Sequence, residues 1–88
     1  MKRQFREELG ERLSIPPEVI SSQPVIQLHG RRNVCIENHG GILAYTDGCV
    51  RISVRGGSVS VEGTGLSIVR MTRHAVEIRG SIRSLALE

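Results

Sequence analysis

Aromatic residues are nearly absent from this chain. Among its 88 residues there is no tryptophan, and Phe5 and Tyr45 stand alone. A single-strand nucleic-acid binder gains about 1–3 kcal/mol from each base stacked on an aromatic ring, so this sheet offers it little. Long apolar runs are missing too: no stretch of about 18 apolar residues exists, and no membrane-spanning helix is expected. The first 25 residues are charged and contain no apolar core of a secretory signal, which points to an intracellular setting. Cysteine is sparse. Cys35 and Cys49 match no metal-ligand spacing and read as reduced, small hydrophobic residues. Lysine is almost absent, with one against eleven arginines. The net charge of +3 and pI near 9.5 are a mild excess, chiefly a matter of solubility.

Alternation is what the chain has in abundance. In the stretch CVRISVRGGSVSVEG, Val50, Ile52 and Val54 alternate with Arg51, Ser53 and Arg55. Val59 and Val61 then alternate with Ser58, Ser60 and Glu62. Period two places the aliphatic side chains on one face and the polar ones on the other. Gly56 and Gly57 between the runs suit a two-residue turn that needs φ > 0. A hairpin with one apolar face is marginal alone, so further strands or a helix must cover it.

The same pattern extends from Val25 to Leu87. Eight short strands are expected: Val25–His29, Asn33–Glu37, Ile42–Tyr45, Cys49–Arg55, Ser58–Glu62, Leu66–Met71, Ala75–Arg79 and Ser81–Leu87, nearly all ended by glycine. Ile82 and Leu85 break parity, which calls for a bulge near Ser84 or a bend over a sheet edge. The expected fold is mainly β, an antiparallel meander packed as a small sandwich, rolled sheet or barrel, with a short N-terminal helix. That helix covers residues 2–13, where Phe5, Leu9 and Leu13 fall on one stripe. Pro16 and Pro17 end it. Residues 1–24 are thus a helix and linker, and residues 25–88 one all-β domain.

Chemistry is harder to find. His29, His39 and His74 share no ligand spacing and are expected in exposed turns, so no metal site is assigned. No serine has the surroundings of an activated nucleophile. VRGGSVS joins two strands rather than a strand and a helix, so it is a hairpin turn and no phosphate loop. No catalytic residue, cofactor or enzymatic activity is expected. Arg51, Arg55, Arg79 and Arg83 can share an outer face with Glu62 and Glu77, and a small basic β-domain that binds nucleic acid is the alternative reading. The least generic segment is residues 37–48, ENHGGILAYTDG. Glu37, Asn38, His39 and Tyr45, together with the Phe5, Leu9 and Leu13 stripe, are the candidate partner interface, because polar loops and tyrosine are frequent at contacts.

Several segments together resemble the YabP/YqfC family of sporulation proteins, in particular its YqfC branch. They are IPPEV, PVIQLHG, VCIENHGGILAY, GSVSVEGTGLSI and VEIRGSIRSL, which span the chain from about Leu13 to Leu87. The segment from Ile36 to Ile42 is the specific part. The turn at Arg31 departs, with Arg-Arg-Asn in place of an Asn-Arg-Glu-like sequence. The resemblance implies a non-enzymatic protein of endospore formers, made in the mother cell and used in spore envelope or cortex formation. It also implies a membrane-associated sporulation protein as partner, with localisation in the cytoplasm or at the membrane around the forespore. Open strand edges add homo-oligomerisation as a second contact to be expected.

Overall fold

Alternation tells which aliphatic side chains are buried, although Ser58 and Ser60 on the polar side are buried as well. The computed structural model describes residues 22–88; the expected helix over residues 2–13, with Phe5, Leu9 and Leu13, lies outside the described residues. Six strands follow in order: β1 (Val25–His29), β2 (Asn33–Glu37), β3 (His39–Tyr45), β4 (Cys49–Val54), β5 (Gly57–Met71) and β6 (Ala75–Leu87). Val50, Ile52 and Val54 of β4 are buried, as are Val59 and Val61 of β5, while Arg51 and Ser53 stay partly exposed. No helix is found among the described residues.

The strands form one antiparallel sheet in the order β1-β2-β6-β5-β4-β3. The expected meander holds from β3 to β6 and between β1 and β2. It fails between β2 and β3, because β2 pairs with β6 instead. Asn38 turns the corner with φ 64°, a conformation asparagine tolerates better than most residues. The Gly40–Gly41 pair, expected as a turn, lies inside β3 next to a register shift. The tight turn after β4 is Arg55–Gly56, one residue earlier than the Gly-Gly reading, with Val54 paired to Gly57.

Two of the expected strand breaks are bends. Residues 58–62 and 66–71 belong to one fifteen-residue strand, and residues 75–79 and 81–87 to one of thirteen. Gly63 and Gly80 sit where these strands turn. A Cβ on Gly63 would overlap the Ser81 carbonyl oxygen, and one on Gly80 would come within 2.7 Å of the Gly65 carbonyl oxygen. Gly80 also has φ 150°. Only glycine lets the two backbones approach so closely. The parity break expected near Ser84 is a bulge: Glu62 pairs with Ser84 but Gly63 pairs with Ile82, leaving Arg83 extra.

The bends roll the sheet so that its inward face closes on itself. Each long strand contributes to two half-sheets. The first half of β5 joins β4, β3 and the end of β6; its second half joins the start of β6, β2 and β1. Val34, Ile36, Ile42, Ile52, Val61, Val76, Ile78 and Ile82 from both halves form one aliphatic core. Ile52 has no exposed surface. Ile52→Ala is expected to cost roughly 2–5 kcal/mol in denaturant unfolding. Gly63→Ala should cost about 1–3 kcal/mol through backbone overlap. A neutral Gly63→Ala would show that the strands do not bend in contact there.

Candidate functional site

Rolling a sheet brings strand edges face to face along two seams, and here the seams differ. On one side the edge strand β3 meets the second half of β5. His39 donates from Nε2 to the Thr72 carbonyl at 2.8 Å, and its Nδ1 accepts the Gly41 amide at 3.0 Å. Those two bonds specify the Nε2–H tautomer. His39 is buried, at 4% exposure, rather than sitting in an exposed turn; His29 and His74 are exposed as expected. The Asn38 amide donates to the His74 carbonyl at 2.7 Å, and Asn38 Nδ2 donates to the Gln23 carbonyl at 2.9 Å. Farther along, the Ile68 amide donates to Tyr45 Oη at 3.0 Å while the ring packs against the core.

Three of the candidate interface residues therefore converge on one seam and close it. Asn38, His39 and Tyr45 spend their polar atoms on this chain's own backbone. Glu37 ends β2 and is exposed. The geometry of the three is that of a clasp.

The opposite seam lies between β1 and the second half of β6. It is stitched only at its root, where the Ile82 amide donates to the Arg31 carbonyl at 2.8 Å and the Gly80 amide to the Arg32 carbonyl at 3.0 Å. Beyond that root β1 pairs only with β2, and β6 only with β5. Ile26, Leu28, Ile82 and Leu85 line a groove of about 480 Å³, with Arg31 and Arg83 at its lip. Leu28 pairs with buried Val34 and so faces inward, yet it is 51% exposed. Leu87 pairs with buried Val59 and is 69% exposed. Core-facing leucines are left bare because no strand or clasp among the described residues covers them. Sequence reasoning did not single out these residues as a surface, since alternation reports the face and not whether the edge beside it is covered.

The outer faces are neutralised locally. Arg51 pairs with Glu88 at 3.3 Å, Arg83 with Glu62 at 3.3 Å, and Glu77 with Arg79 at 3.4 Å and Arg70 at 3.5 Å. Exposed pairs of this sort contribute little to stability. They do break up the continuous cationic track that nucleic acid would follow. The Asn33 side-chain hydrogen bond, helped by Arg79 and Arg70, holds the Glu77 carboxyl below its usual range. Both cysteines are free thiols, and no cluster of metal-ligating side chains occurs among the described residues. No helix among the described residues is long and apolar enough to cross a membrane.

Two outcomes follow from this geometry. Tyr45→Phe leaves the Ile68 amide without its acceptor and should cost roughly 1–3 kcal/mol, with faster hydrogen exchange at Ile68. Unchanged stability and exchange would mean the clasp is not made. Because the folded carboxyl of Glu77 is depressed from 4.5, its contribution is present above that pH and fades as pH falls through the lowered value. Glu77→Gln should therefore flatten the acid side of the stability profile, measured by thermal melts from neutral to acid pH. An unaltered profile would contradict the assignment.

Comparison with known proteins agrees with the resemblance of the sequence. "Uncharacterized protein YqfC" of Bacillus subtilis (strain 168) is 30% identical over 81 residues, covering 92% of this chain and 87% of that protein. No solved structure matches. The model of the YabP family matches residues 21–88, which takes in every described strand, and this chain belongs to the YabP family.

Proposed function

We propose that this protein is a non-enzymatic assembly module of endospore formation that docks on a membrane-associated partner. Its place is the mother cell, at the membrane around the forespore, in building the spore envelope or cortex. The observation that carries the docking role is the pair of inward-facing leucines, Leu28 and Leu87, exposed at 51% and 69% along an open seam. A soluble domain gains by covering such surface, at about 25 cal/mol per Å² of apolar area. Membership of the YabP family supports the sporulation setting. The clasp at the other seam supports the same reading, since it leaves one edge pair closed and one available.

The experiment is to image a fluorescent fusion of the native chain and of its Leu28→Glu variant in sporulating cells. The native fusion should concentrate at the membrane around the forespore, and the variant should spread through the mother cell while staying folded, because Leu28 is half exposed. A diffuse or nucleoid-associated native signal would contradict the proposal.

A further inference from the structure

The geometry points to the occupant of the open seam: an extended apolar segment of another protein, carrying acidic side chains where it passes the root of the groove. This rests on the docking role proposed above and adds what the seam recognises. Three observations carry it. First, both walls are strand edges. Among the described residues, β1 has no neighbour on its outer side beyond the root and the end of β6 pairs only with β5, so each presents unpaired backbone groups to an incoming strand. Second, the groove between them is apolar, built from Ile26, Leu28, Ile82 and Leu85. An inserted strand whose alternate side chains face inward would cover Leu28 and Leu87, as Val34 and Val59 are covered by their own neighbours.

Third, the root of the groove is cationic. Arg31 and Arg32 are exposed in the turn before β2 and form no ion pair among the described residues, and Arg83 projects from the bulge beside them. Glu62 is engaged by Arg83. Two side chains thus offer uncompensated guanidinium groups, which favour carboxylates through paired N–H donors. The same charges argue against a second copy as occupant. In a two-fold dimer through this seam the edges offered to Arg31 and Arg32 would be β1 and residues 82–87 of β6, and neither carries an acidic side chain.

The test uses the full chain, isotope-labelled, titrated with two synthetic octapeptides: alternating valine and glutamate, and alternating valine and lysine. The acidic peptide should shift the amides of Val25–Arg31 and Ile82–Leu87 and bind about tenfold more tightly than the basic one, with the gap narrowing as salt rises. The Arg31→Glu, Arg32→Glu double variant should reverse the preference. Equal binding of both peptides, or shifts at β3 and the second half of β5 instead, would overturn the assignment. So would concentration-dependent shifts at the seam without peptide, which would identify a second copy. If the peptides leave the seam unmoved while the native fusion still gathers at the forespore membrane, the occupant is wrong and the docking role stands. If the fusion is also diffuse, both fall.

Discussion

The close approach of two backbones at Gly63 and Gly80 is the constraint on which this structure depends. At each point a methyl group would run into a carbonyl of the neighbouring strand. Without that contact β5 and β6 would continue straight, and the sheet would be an open ribbon with one apolar face in water. With it, the two longest strands each serve both half-sheets, and twelve buried aliphatic residues form one core. An 88-residue chain with one tyrosine and one phenylalanine has no large rings with which to fill a core. It fills the core with valine and isoleucine, whose branched side chains suit a pleated surface curved back on itself.

Rolling a six-stranded sheet creates two seams, and the chain treats them oppositely. At β3 the histidine and tyrosine reach across to the backbone of Thr72, just past β5, and of Ile68 within it, replacing a missing strand with side-chain hydrogen bonds. At β1 no equivalent is found among the described residues, and leucines that face the core are exposed. The asymmetry gives the molecule a direction: a finished side and an unfinished one. Arg31 and Arg32 then give the unfinished side a sign of charge, while Arg51, Arg70 and Arg79 are paired on the outer faces. For the docking role proposed above, these features would supply an edge to extend, an apolar groove to fill and a charge to choose between partners.

Much of this was legible in the residues. The alternation of Val50, Ile52, Val54, Val59 and Val61 specified strands and their buried face, and the parity break at Ile82 and Leu85 specified a bulge that is found at Arg83. What alternation does not contain is the identity of each strand's neighbour. Nothing in Glu37–His39 says that β2 leaves its successor and pairs with β6, because that choice is made by distant contacts. Glycine was equally ambiguous: Gly63 and Gly80 look like strand ends, and only the approach of a second backbone makes them bends. Asn38, His39 and Tyr45, read from the sequence as part of a partner interface, bond to this chain's own backbone, and the buried histidine serves closure. The open seam was hidden because Leu28 and Leu87 have the same pattern as any core residue.

The central claim is that one seam is closed and the other is open. It is tested most directly by adding a soluble paramagnetic probe to the full chain, methyl-labelled at leucine and valine. The methyl signals of Leu28 and Leu87 should broaden strongly, while those of Val34 and Val59, their paired neighbours on the same face, remain sharp. Leucine signals as well shielded as those of the valines would mean that the seam is covered in the protein itself, and the docking account would be wrong.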